Sequence, residues 1–107
     1  MGANTSFGRY RDIDAAELAA RLGTADSPFV VDVREPNEFA EWSIPTAVNV
    51  PLSELPSRID SLPRDREVVV MCAAGGRSAR AAEALVDAGL HVANLRGGMS
   101  AWGAVYD

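Results

Sequence analysis

The sequence predicts an α/β domain built on a mostly parallel sheet, and three observations carry that expectation. Short apolar runs rich in β-branched residues recur along the chain, as at 29–33 and 67–71. They are continuous rather than alternating, which is the pattern of strands buried on both faces. Segments with helical signals separate them, so strands and helices alternate from one end to the other.

In order, residues 10–13 read as a short strand. Asp14 then opens a helix, with Asp14 as N-cap and Glu17 three residues on completing a capping box. Leu18 and Leu22 fall on one face of it, and Gly23 ends it. A turn over 24–28 leads into the strand 29–33. Pro36 suits the first turn of a helix running to about Trp42. Residues 47–50 form a strand stopped by Pro51, and Ser53 caps a short helix carrying Leu55 and Ile59. Pro63 and Arg64-Asp65-Arg66 mark a surface turn. The strand 67–71 runs straight into Cys72, a turn over 73–76 follows, and a helix over 77–88 is closed by Gly89. Residues 92–95 are the last strand, and Gly97-Gly98 turns the chain into a final helix carrying Trp102.

The chain has 107 residues, 48% of them hydrophobic and 23% charged, which fits one globular domain over 1–107 with its core at about 10–104. No apolar run reaches the roughly 18–20 residues of a membrane helix. The formal net charge is -5 and every basic residue is Arg. Such a chain is a poor polyanion binder, so neither nucleic acid nor an anionic membrane is an expected partner. A single cysteine excludes an internal disulfide and a cysteine-cluster metal site. The N-terminus lacks the apolar segment of a secretory leader, and a reducing cytoplasm is the expected location. Met1 to Ser6 fit a myristoylation pattern, but one short enough to match by chance.

The chemistry centres on Cys72, at the carboxyl end of a strand, where open α/β sheets bind ligands. The loop Cys72-Ala73-Ala74-Gly75-Gly76-Arg77-Ser78 enters a helix N-terminus, so several backbone N–H groups aim at one point. The glycines let that backbone curl tightly. A thiolate there sits in a positive field, and both the helix and Arg77 are expected to lower its pKa. A free cysteine at a strand end is otherwise a small, inert core residue; the glycine loop and the helix behind it favour a functional thiol. A cation in a first helical turn opposes the dipole, which points to an anion-binding role for Arg77. Arg80, one turn on, is expected to face solvent. His91 is the only histidine, far in sequence from Cys72, and is read as a surface or sheet-edge residue rather than a catalytic base. No second cysteine can resolve an oxidised Cys72.

Three segments together resemble the single-domain rhodanese family. The first is Val31-Asp32-Val33-Arg34-Glu35-Pro36-Asn37-Glu38-Phe39, with Ile44-Pro45 and Ala47-Val48-Asn49-Val50-Pro51. The second is Cys72-x-x-Gly75-x-Arg77-Ser78, with Ala81-Ala82, Leu85 and Gly89. The third is Leu95-Arg96-Gly97-Gly98, ending in Trp102. The resemblance covers about 13–102. It implies a three-layer α/β/α sandwich around a five-stranded parallel sheet. It also implies a sulfurtransferase in which Cys72 accepts a sulfane sulfur as a persulfide and the loop from Ala73 to Ser78 cradles it. Thiosulfate and cyanide are the family's usual test donor and acceptor. Asp32, Arg34 and Glu38 match a motif read as fold-holding ion pairing.

This chain departs from the family at Trp42-Ser43, where Gly-His is frequent, and at Thr46, where Gly is frequent. Trp42 cannot close a helix in a left-handed conformation cheaply, so altered backbone geometry is expected at that corner. Ala73 and Ala74 leave the loop less cationic than in some relatives, which weakens the case for the thiosulfate dianion. A cysteine phosphatase or arsenate reductase is a lesser alternative, because tyrosine-phosphatase loops resemble C-x5-R and this loop is C-x4-R. A partner-dependent sulfur relay and a non-catalytic binding module are the others. No cofactor and no metal are expected. The expected partners are a small-molecule sulfur donor and acceptor, including a protein thiol, and the chain is expected to be a monomer or weak homodimer.

Overall fold

The computed structural model describes residues 9–106; the pattern at Met1 to Ser6 lies outside the described residues. Five strands, β1 (Arg11–Ile13), β2 (Phe29–Asp32), β3 (Val48–Asn49), β4 (Val68–Met71) and β5 (Val92–Leu95), form one sheet in the order β1-β5-β4-β2-β3. Every pairing is parallel. The helices are α1 (Ala15–Arg21), α2 (Pro36–Glu41), α3 (Leu55–Arg58), α4 (Gly76–Asp87) and α5 (Gly98–Tyr106).

The period of two along a strand divides the core into two halves. Val68 and Val70 of β4 join Leu55 of α3 and Ala81, Ala82 and Leu85 of α4 in one buried cluster. Val69 and Met71 join Leu18 of α1 and Met99 and Trp102 of α5 in the other. All four residues of β4 are buried, which is why this strand reads as an unbroken apolar run.

The order also makes a switch point. From β2 the chain moves outward to β3, whereas from β4 it moves the other way to β5. The crevice between such diverging connections lies beyond the carboxyl ends of β2 and β4, and Cys72 is the residue that follows β4.

Several local expectations are corrected. Asp14 accepts the N–H of Glu17 at 2.8 Å, but the Glu17 carboxylate is held by Arg11 at 2.9 Å, so only half of the expected capping box forms there. A capping box forms instead around Glu35 and Glu38 at the start of α2. Ser53 caps nothing: 3-10 turns at Leu52–Glu54 and Ile59–Ser61 flank the single turn of α3. The expected strand over 47–50 is reduced to the two residues of β3.

The corner after α2 holds Trp42 and Thr46. Trp42 leaves the helix in an extended conformation, and its carbonyl accepts a 2.8 Å hydrogen bond from Arg34. Its ring lies over Gly103 of α5, where a Cβ would come within 2.7 Å of the indole. The left-handed residue is Thr46, at φ 71, and it is the only non-glycine residue with positive φ among those described. A β-branched residue in that region costs roughly 1–2 kcal/mol. Thr46→Gly is therefore expected to raise stability by about 1 kcal/mol after the entropy a glycine adds to the unfolded chain. The check is the urea midpoint at unchanged m-value; an unmoved or lower midpoint would show that Thr46 carries no relievable strain.

Candidate active site

Cys72 is 1% exposed. Behind it the chain must reverse before α4 can pack on β4, and Gly75 makes that reversal at φ 114. The reversal aims the Gly75 N–H at the Cys72 sulfur, 3.1 Å away. Ser78, in the first turn of α4, adds its own N–H and its hydroxyl, each at 3.3 Å. The hydroxyl also lies 2.6 Å from the Asn94 Oδ1 of β5 and 3.2 Å from the Gly75 carbonyl.

The carbonyls on the outer side of the loop are held by α5. Met99 donates to the Cys72 carbonyl at 2.8 Å and Ser100 to that of Ala73 at 3.0 Å. The approach is so close that a Cβ on Gly98 would stand 2.1 Å from the Cys72 carbonyl oxygen. Gly98 is also at φ 54, so two independent reasons demand glycine there.

Burial pushes the Cys72 thiol up. The Ser78 hydroxyl and the backbone N–H groups of Ser78, Gly75 and Ala74 outweigh it, and the thiol sits below its ordinary value. Direct hydrogen bonds therefore lead the expected shift, and the Arg77 charge also couples to the sulfur.

Arg77 is not an open anion site. Its guanidinium grips Glu38 of α2 with two hydrogen bonds, at 2.9 and 3.2 Å. Glu38 also accepts the N–H of Glu35 at 2.8 Å. The Arg77 hydrogen bonds first, and that from Glu35 second, hold the Glu38 carboxyl down at about 2. The expected trio of Asp32, Arg34 and Glu38 is thus divided. Asp32 and Arg34 pair with each other at 2.8 Å, buried, while Glu38 belongs to Arg77.

Ala73, half-buried, and Ala74 and Gly76, both exposed, complete the loop and bring no charge. Arg80 is exposed, as expected. His91 precedes β5 and lies 3.7 Å from Glu67, at the opposite end of the sheet from Cys72. There Glu67, with its side chain 5% exposed, receives Arg21 at 2.7 Å and Arg11 at 3.2 Å. A cleft of about 280 Å³ opens on that side. Among the described residues no group of three or more His, Cys, Asp or Glu side chains is placed to hold a metal ion, and no helix is long and apolar enough to cross a membrane.

A cysteine at the switch point, ringed by inward N–H groups, is matched by a family comparison. The rhodanese-like domain family matches residues 14–105. The chain belongs to that family. A sulfurtransferase of Allochromatium vinosum is 40% identical over 92 residues, covering 85% of this chain and 86% of the relative. A rhodanese-related protein of Thermoplasma volcanium superposes with a TM-score of 0.84 at 39% identity, covering 92% of this chain and 96% of the other. An NAD-dependent persulfide reductase from A. fulgidus is similar over 90% of this chain but only 16% of its own, with a TM-score of 0.73 at 35% identity. The rhodanese fold thus stands alone in some relatives and within larger chains in others.

Asn94 was not singled out from sequence, and Gly97-Gly98 was read as the turn into the last helix without a part in the site. Asn94 is the one polar residue in the strand Val92–Leu95, and a lone amide in a buried strand is a signal that it has a partner.

The Glu38–Arg77 pair yields a pH prediction. Glu38 falls from an ordinary 4.5 to about 2, so its stabilising contribution is complete above about 4.5 and is lost as pH falls through about 2. Glu38→Gln is expected to lower the melting temperature at neutral pH and to shrink the drop between about pH 5 and pH 2. An equal drop in both proteins would show that Glu38 does not govern that window.

Proposed function

We propose that this chain is a sulfurtransferase in which Cys72 is the sulfur-accepting nucleophile and residues Ala73 to Ser78 form its cradle. The observation that carries this reading is the convergence of the Gly75 and Ser78 N–H groups on a buried sulfur whose ionisation they favour. The name of the Allochromatium relative supports it.

The Cys72 thiolate attacks the outer sulfur of a donor R–S–S⁻. A bond forms between the two sulfurs, the donor's S–S bond breaks, and the donor leaves as a thiolate, or as sulfite when the donor is thiosulfate. The Cys72 persulfide then gives its outer sulfur to a nucleophilic acceptor such as cyanide or a thiol, and the Cys72 thiolate returns. This is ping-pong chemistry with one covalent intermediate. With a single cysteine in the chain, the acceptor is an external group. No cofactor takes part, and the setting is the cytoplasm.

The charge of the loop bears on the donor. Its one cation, Arg77, is neutralised by Glu38, so a bound anion meets backbone N–H groups and no uncompensated charge. A dianion such as thiosulfate gains little there, and a singly charged persulfide on a small thiol or a protein thiol fits better.

Intact mass of the reduced protein after incubation with a persulfide donor, and separately with thiosulfate, tests the reading. A gain of one sulfur, about 32 Da, is expected in the wild type and not in Cys72→Ser, with the persulfide donor reacting at the lower concentration. No gain with either donor on a demonstrably free thiol would overturn it.

A further inference from the structure

The Ser78 hydroxyl has one hydrogen and three neighbours that can accept it: the Cys72 sulfur at 3.3 Å, the Asn94 Oδ1 at 2.6 Å and the Gly75 carbonyl at 3.2 Å. With Cys72 as a thiol the arrangement is consistent. The S–H donates to the Ser78 oxygen, and the hydroxyl donates to Asn94. A thiolate changes the demand, because it accepts only, and the hydroxyl hydrogen must turn to the sulfur. The Ser78 oxygen then faces the Asn94 oxygen at 2.6 Å with no hydrogen between them. Ser78 is fully buried and Asn94 is 6% exposed, so water has little room to relieve that contact. Asn differs from a carboxylate or an aliphatic residue in that half a turn of its amide replaces the acceptor by a donor.

We propose that Asn94 is a positioning residue for Cys72 whose amide reverses its hydrogen bond with Ser78 as the sulfur ionises, accepting beside the thiol and donating beside the thiolate. The relay is then Asn94 Nδ2–H to Ser78 Oγ, and Ser78 O–H to the Cys72 sulfur. The thiol proton leaves to solvent, and no covalent bond in the relay breaks. Asn94 thereby lets one serine serve both protonation states of the nucleophile.

The charged groups around the relay are few. Arg77 of α4 couples to the sulfur but is paired with Glu38 of α2. Asp32 and Arg34, after β2, are paired with each other. Asp12 of β1 is the register partner of Asn94. Neither β5 nor α5 carries a charged residue. All of these groups are the same in every variant compared below.

The inference deepens the reading of Cys72 as the sulfur acceptor, but its readout is thiol ionisation, which needs no sulfur donor. A chain that takes up no sulfur would overturn the proposed function and leave this test intact. The experiment is a pH titration of thiolate ultraviolet absorbance in the wild type, Asn94→Asp, Asn94→Leu, Ser78→Ala and the double variant Ser78→Ala/Asn94→Asp, each with its thermal melt. An ionised Asp only accepts, so it draws the hydroxyl away from the sulfur. Asn94→Asp is expected to raise the thiol pKa by about one unit, a tenfold loss of thiolate at pH values below the titration. Asn94→Leu, which removes donor and acceptor together, shifts it less. In the Ser78→Ala background the Asp substitution has little further effect. An Asp shift no larger than that of Leu, or one undiminished without the Ser78 hydroxyl, overturns the relay. If Asn94→Asp fails to fold, the wild type decides. In nitrogen-labelled protein the Asn94 side-chain amide resonances are expected to move at the thiol's own pKa, and an amide that does not move overturns the proposal.

Discussion

A chain leaving a buried parallel strand carries peptide carbonyls that no further strand will accept, and a buried carbonyl without a donor is costly. At the end of β4 the start of α5 supplies the donors: Met99 and Ser100 take the carbonyls of Cys72 and Ala73. With those carbonyls fixed on the outer side, the Gly75 N–H faces inward, and the first turn of α4 adds another N–H. The sulfur is therefore solvated by backbone that is already in place, and ionising it requires little rearrangement of the loop. The closeness of Gly98 to Cys72 and the positive φ of Gly75 both follow from this division of donors and acceptors.

The charges near the loop are organised to hold the frame. Glu38 ties α2 to α4 through Arg77, and the Asp32–Arg34 pair ties the end of β2 to the carbonyl of Trp42. These pairs brace the two elements that diverge at the switch point, and they leave the sulfur to neutral dipoles. That division lets a chain with net charge -5 favour ionisation of the thiol while Arg77 stays paired with Glu38.

Much of this was legible in the residues. Strands such as Val68–Met71 are buried on both faces and announce themselves as apolar runs, and the glycines around Cys72 announce a tight turn into a helix. Trp42 and Thr46 stand where glycines are frequent, and of the two it is Thr46 that takes the left-handed conformation. What sequence reasoning missed lay in long-range pairing. Glu17 could have closed its own capping box, but Arg11 reached it first, and Glu38 was grouped with its neighbour Arg34 although its partner is 39 residues away. Asn94 looked like an ordinary strand residue because its partner, Ser78, comes from another element. Local signals state what a segment can do, and only packing decides which of several competent partners a charged or amide group takes.

The Gly98 contact also bears on how such a chain can vary in length. The nucleophile and α5 are separated by α4 and β5, yet α5 must arrive with its first amides against the Cys72 and Ala73 carbonyls. One residue inserted or deleted in β5 would turn its alternating faces over and carry α5 off that contact. The turns over 24–28 and 63–66, at the other end of the sheet, bear no such constraint. Length variation among chains of this architecture should therefore collect at the end remote from the thiol, and the stretch from Cys72 to Gly98 should behave as a unit of fixed length.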